Sequence, residues 1–233
     1  MNDFSWKDLF DPLFYIHFDI NGIKVGLFIV LFIVFAETGL FAGFFLPGDS
    51  LLFLSGIYNR ELVENIMVAD SDFINVLVLS ALVGAAGIVG NMVGYWFGAK
   101  SGYYLYNKKD SLLWKQKYLI QSKEFFEKHG GRAIIFARFL PIFRTFAPIV
   151  AGIVLMDKKK FMFYNILSSC LWSFSLIFAG HYLYGFLLEK FNIDLKEHIE
   201  LIIIILVAIT IVPVILKFGK KSPVASEDEA SKE

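Results

Sequence analysis

A single cysteine, Cys170, stands in 233 residues, which excludes a disulfide framework and a thiolate metal cluster. It lies in an apolar run and reads as a packing residue. Net charge is absent too: 22 basic and 22 acidic residues cancel, so no global field points to nucleic acid or to an acidic partner. Residues 1–22 contain Lys7 as their only Lys or Arg, beside Asp3, Asp8, Asp11 and Asp19, the wrong start for a secretory signal. His17, His129, His181 and His198 are scattered, with no i to i+4 pair and no acids in a metal-site pattern. His181, inside a long apolar run, is the one to test as a proton relay. Asp, Glu, Lys and Arg are missing altogether from Phe73 to Ala99 and from Phe161 to Leu188. Both stretches exceed the roughly 20 residues that span a bilayer and read as transmembrane helices.

What fills the chain instead is apolar surface: 57% hydrophobic residues, 17% aromatic and a mean hydropathy of +0.61. A water-soluble domain of this length has no interior large enough to hide it. The expected class is an all-α, polytopic integral membrane protein forming one membrane domain over 1–221. Trp6, Leu9, Phe10, Leu13, Phe14 and His17 recur at helical spacing, so 1–22 reads as an amphipathic helix on the bilayer surface, with Pro12 a kink. Leu201 to Leu216 is short and carries Pro213, but Lys217, Lys220 and Lys221 at its end can snorkel to the headgroups, which makes it a further C-terminal span. The tail from Ser222 to Glu233 has nothing to bury and reads as disordered.

Two apolar regions are interrupted. Over 25–58, Val25 to Phe35 and Thr38 to Leu46 are separated by Glu37 and followed by Pro47, Gly48 and Asp49. Over 133–156, Arg138, Pro141, Arg144 and Pro148 stand in an otherwise apolar run, and the spacing from Glu37 to Pro47 recurs from Arg138 to Pro148. Half-length helices around a break suggest re-entrant hairpins. Loop charge orients them. The loop over 100–132 holds Lys100, Lys108, Lys109, Lys115, Lys117, Lys123, Lys128 and Arg132 against three acids, and Lys158, Lys159 and Lys160 follow the second interrupted region. Both clusters read as cytoplasmic. Residues 59–72 carry Arg60 against Glu61, Glu64, Asp70 and Asp72 and read as external. The hairpins would then enter from opposite sides, giving two inverted repeats, each a re-entrant hairpin plus a transmembrane helix, as in many transporters. The C-terminus falls in the cytoplasm.

Charges at such depth cost roughly 3 kcal/mol each, about 10 kcal/mol for four left unpaired, so Glu37, Asp49, Arg138 and Arg144 must meet partners or water. A salt-bridge role alone competes with a functional one, but buried pairs are often replaceable by apolar residues without loss. Guanidinium forks suit phosphate, which makes Arg138 and Arg144 the candidate phosphate-binding pair. Glu37 and Asp49, able to exchange a proton or ligate sodium, are the candidate ion-coupling acids. Pro47, Gly48, Pro141, Thr145 and Pro148 shape the breaks. Gly90, Gly94 and Gly98 form a small-residue seam for helix packing. The aromatic and basic 100–132 loop resembles a nucleic-acid patch, but beside a membrane it reads as a topology determinant and anionic-lipid contact.

The run Glu37-Thr38-Gly39 through Phe44-Phe45-Leu46-Pro47-Gly48-Asp49, with Gly90-Asn91 and Gly94-Tyr95-Trp96-Phe97-Gly98, resembles the first half of the bacterial DedA family, relatives of the eukaryotic VTT-domain lipid scramblases. Phe125 to Gly131, Arg138-Phe139-Leu140-Pro141, Arg144-Thr145-Phe146-Ala147-Pro148, Ala151-Gly152, Asn165 and Trp172 resemble its second half. The resemblance covers about residues 25–185. It implies a bacterial inner-membrane protein with inverted repeats that moves lipid phosphates in an ion-dependent way, undecaprenyl phosphate first among them, with some members moving phospholipids. The acids and arginines such proteins require map onto Glu37, Asp49, Arg138 and Arg144. The implied partners are a membrane lipid or polyprenyl phosphate and the bilayer, with no nucleic acid. No cofactor is implied beyond H+ or Na+ as coupling ion, and a homo-oligomer is compatible with the reading. A phospholipid scramblase and a proton- or cation-coupled antiporter of a small solute are the alternatives. A membrane phosphatase would need a nucleophile and base that no motif here supplies.

Overall fold

The computed structural model describes residues 12–20, 23–40, 48–64, 66–67, 70–107, 124, 126, 128–138, 141–191 and 194. The expected span at 201–216, the tail at 222–233, Pro47 and most of the 100–132 loop lie outside these residues.

The described chain is helical apart from one minimal β-ladder. Helix α1 (Pro12–Ile16) is followed by β1 (Asp19–Ile20) and β2 (Ile23–Lys24), paired antiparallel with Asp19 opposite Lys24. A continuous surface helix over 1–22 is therefore not what forms at its C-terminal end. Strand pairing from Asp19 to Lys24 ends the helical spacing there, and the sequence between the strands, Asn21-Gly22, is a dipeptide that favours hairpins. Next come α2 (Gly26–Gly39), α3 (Gly48–Ile57), α4 (Asn59–Val63), α5 (Asp72–Asn107), α6 (Arg132–Arg138), α7 (Pro141–Ile153) and α8 (Lys158–Phe191).

Helices α5 and α8 contain the described segments long and apolar enough to cross a membrane, Asp72–Gly102 and Lys158–Phe191. At 1.5 Å per residue each exceeds the roughly 30 Å hydrocarbon layer. Both outrun the charge-free stretches. Lys100 does not end α5: lysine is a good helix former, and its ammonium lies over the Trp96 ring at 5.1 Å. Helix α8 starts where Asp157 Oδ1 accepts the Lys160 N–H at 2.9 Å, an N-cap. Helix α7 ends in a Schellman turn: Met156 N–H donates to Ala151 at 2.9 Å and Leu155 N–H to Gly152 at 3.0 Å, with Leu155 at φ +54°.

The packing is reciprocal. Helix α5 packs on α2, α7 and α8, while α8 packs on α3, α5 and α6. Each long helix thus carries the first short helix of its own half and the second short helix of the other. Glycines permit backbone contact at both crossings: a side chain on Gly98 would strike the Ile149 carbonyl of α7, and one on Gly180 the Phe53 carbonyl of α3. The Gly90, Gly94 and Gly98 seam accordingly serves two neighbours, Gly90 facing Thr38 and Gly94 lying against Pro148 and Ile149.

One core joins Val30, Val34, Leu51, Leu52, Leu54, Leu79, Val83 and Ile177 from α2, α3, α5 and α8. A smaller one gathers Tyr95, Ile134, Ala151 and Phe161. The outer faces carry Phe28, Phe32, Trp96, Phe97, Phe163 and Leu171, all exposed. Such a density of exposed aromatic surface fits lipid rather than water as solvent.

Candidate functional site

The four charges of the interrupted regions converge, because each stands near an end of a short helix. Glu37 lies in the last turn of α2, Asp49 in the first turn of α3, Arg138 ends α6 and Arg144 follows the first residues of α7. Pro141 opens α7, a position where its missing N–H costs nothing. Pro148 lies inside α7 and cannot donate to the Arg144 carbonyl one turn back.

Pairing is unequal. Arg144 donates through Nη1 to Asp49 Oδ1 and through Nη2 to Glu37 Oε1, bridging the two short helices of the first half. Trp172 of α8 adds a third donor, its indole N–H reaching Asp49 Oδ1 at 2.9 Å. Arg138 is 2% exposed, yet none of its three guanidinium nitrogens has a hydrogen-bond partner among the described residues. Its nearest compensation is the Trp172 face, 4.5 Å from Cζ, and the charges of Glu37 and Asp49 reach it without a hydrogen bond. The sequence leads one to expect the acids and arginines to neutralise each other across the two halves. They do meet, but both carboxylates go to Arg144.

Space for these groups comes from glycine. A Cβ on Gly48 would land on the Glu37 carboxylate, which therefore sits against the first turn of α3, where backbone N–H groups favour negative charge. A Cβ on Gly87 of α5 would land on Arg138 Nη2. Beside Arg138 lies a buried polar knot between the long helices: Asn91 Nδ2 donates to Asn165 Oδ1 at 2.7 Å, Ser169 Oγ donates to the same oxygen at 3.2 Å, and Asn165 Nδ2 donates to the Ile88 carbonyl at 3.1 Å.

Of the residues expected to shape the breaks, Gly48 and Pro141 begin helices, and Thr145 and Pro148 are buried in α7. His181 is outside the cluster, 3.0 Å from Asn59 Nδ2 at the α3–α4 turn. His17 lies 3.1 Å from Glu61 Oε1, where Lys24 also meets Glu64 at 3.0 Å, a bond that raises the Lys24 pKa. Charge and spacing alone did not single out Trp172, Gly87, Asn165 and Ser169. A signal existed for Trp172: it is the one tryptophan of its span, and a buried indole N–H needs an acceptor.

Comparison with known proteins identifies the family. The VTT domain matches residues 23–182. The chain is 34% identical to the protein DedA of Escherichia coli K12 over 211 residues, covering 88% of this chain and 90% of that one. It is 37% identical over 173 residues to an uncharacterized membrane protein of Mycobacterium leprae, covering 74% and 73%. It is 33% identical over 158 residues to the inner membrane protein YghB of E. coli K12, covering 66% of each. No solved structure matches. Four charges gathered at the ends of short helices, on two long apolar helices and within the matched domain, are thus carried by a membrane protein that belongs to the DedA family of VTT-domain proteins.

Proposed function

We propose that this protein moves a lipid phosphate, undecaprenyl phosphate in the first instance, across a bacterial inner membrane in exchange for the energy of an ion gradient. One observation carries the reading: Arg138 is a buried, permanently charged fork with no hydrogen-bond partner among the described residues. A guanidinium buried in a membrane interior with its donors unmet is costly, and an anion that accepts from them relieves it. A phosphate monoester offers oxygens matched to that fork.

Coupling follows from charge balance. Two arginines and two acids make the cluster neutral, so an incoming phosphate makes it negative. A proton or sodium ion taken up at Glu37 or Asp49 restores balance, and the same carboxylates then hold Arg144 less firmly. The reciprocal packing of short helices on the two long ones supports inverted re-entrant repeats around this site. The long basic loop over 100–132 and Lys158 to Lys160 face the cytoplasm in this reading, as does the C-terminus.

The test is flux. Full-length protein in liposomes with an imposed proton or sodium gradient is expected to translocate fluorescent undecaprenyl phosphate without releasing inorganic phosphate. Cation flux with no lipid movement would replace this reading with an antiporter, equal movement of ordinary phospholipids with a scramblase, and released phosphate with an enzyme.

A further inference from the structure

The cluster is lopsided about one ring. Trp172 stands 4.5 Å from the guanidinium carbon of Arg138 and 5.5 Å from that of Arg144, measured to the ring centre. On the Arg144 side Glu37 and Asp49 supply the opposite charge. On the Arg138 side Nη2 reaches Gly87, and the heavy atoms nearest a Cβ there are Nη2 and Cζ of Arg138, followed by Ser169 Oγ at 3.8 Å. The Ser169 hydroxyl is buried and engaged with Asn165, itself fixed by Asn91 and Ile88. A hydroxyl can turn its hydrogen from one acceptor to another.

We infer that the anion seat is one-sided: an oxyanion binds at Arg138, beside Gly87 and Ser169, and not at Arg144, whose Nη donors Glu37 and Asp49 hold, while the Trp172 ring touches both guanidiniums and supports Arg138. The identity of the arriving anion rests on the transport reading above; the division of the site rests on geometry. The ring does two things. Its π surface meets the Arg138 guanidinium, and its N–H edge holds Asp49 within the Arg144 group. The ligand class is a phosphate monoester oxyanion, a chemistry shared by a lipid headgroup and free inorganic phosphate.

Gly87→Ala is the sharpest probe, because the added methyl meets the far end of a flexible side chain and the substitution favours the helix. In full-length protein in liposomes, the apparent KM for fluorescent undecaprenyl phosphate is expected to rise roughly tenfold, the loss of one charged hydrogen bond. Gly84→Ala, one turn away and facing Ser173, keeps the wild-type KM. Farnesyl phosphate and inorganic phosphate serve as competitors. Selective loss of farnesyl phosphate potency in Gly87→Ala marks a lipid headgroup in the seat, and equal loss of both marks the free anion. A Gly87→Ala protein with wild-type KM and wild-type competition overturns the seat. Trp172→Phe, which keeps a ring against Arg138, is expected to retain clearly more affinity than Trp172→Leu, and equal KM values for the two overturn the part given to the ring. Wild-type protein that neither moves the lipid nor responds to either competitor removes the transport reading and the seat with it. Lipid movement that is lost in Arg138→Met yet unaltered in Gly87→Ala removes the seat alone.

Discussion

Arg138 and Arg144 are the same residue type, on adjacent short helices, both nearly sealed from solvent, and the structure treats them oppositely. Arg144 is 6% exposed and holds two carboxylates, whereas Arg138 is 2% exposed and holds neither. Burying a guanidinium costs the same in either place, so only the compensation differs. For Arg144 that compensation ties α2, α3 and α7 together, and a structural role accounts for it. For Arg138 the Trp172 face offers a cation–π contact of about 2 kcal/mol at best, short of the several kcal/mol that desolvation takes. The attraction of Glu37 and Asp49 reaches Arg138 too, but without hydrogen bonds. Stability thus accounts for Arg144 more fully than for Arg138, which supports the role proposed for the latter.

The widest gap between them is expected in stability. Arg144→Met leaves Glu37 and Asp49 as adjacent buried like charges, and removing one partner of a buried pair costs about 3–5 kcal/mol. The variant should show a strongly lowered thermal midpoint in detergent and poor recovery from the membrane. A midpoint like that of wild type would mean the two acids have other partners, and the distinction between the arginines would collapse. Glu37→Gln sharpens the same side with a smaller effect. The amide oxygen can still accept from Arg144 Nη2, so the loss is that of charge assistance, about 1–3 kcal/mol. Its functional signature is the larger one: lipid movement that no longer responds to an imposed ion gradient. A gradient response equal to wild type would assign coupling to Asp49.

Much of this site was legible before any coordinates. Charge is so rare in the apolar runs that Glu37, Asp49, Arg138 and Arg144 announce themselves, and Pro141 marks a break, which in the structure is the start of α7, where its lost N–H costs nothing. The charge-free stretches Phe73 to Ala99 and Phe161 to Leu188 match the long helices α5 and α8 to within a few residues at three of four ends, the exception being α5, which runs on to Asn107. What was not legible depends on direction in three dimensions. Charge count and spacing are symmetric between the two arginines, and only the approach of α3 and α2 to α7 decides which one receives the acids. Gly87 is one small residue among several on α5, and nothing in the one-dimensional pattern tells a packing glycine such as Gly98 from one that clears space for a guanidinium. The pairing of Asp19 with Lys24 is hidden for a different reason: the apolar periodicity of the residues before it continues up to His17 and carries no mark of where the helix stops.

The smallest expected change in stability belongs to Arg138, and it separates the two regions most cleanly. Arg138→Met removes a charge with no hydrogen-bond partner among the described residues and leaves a side chain of similar length against Trp172. The lost cation–π contact and the relieved desolvation oppose each other, so stability should stay within about 1 kcal/mol of wild type. Transport should nevertheless fall to the level of protein-free liposomes, since the group that receives the phosphate is gone. A protein that folds as well as wild type and moves nothing is the signature of a residue kept for function. Should Arg138→Met instead destabilise as severely as Arg144→Met, its guanidinium would have structural partners after all, and the contrast between the two arginines would give way to a single network.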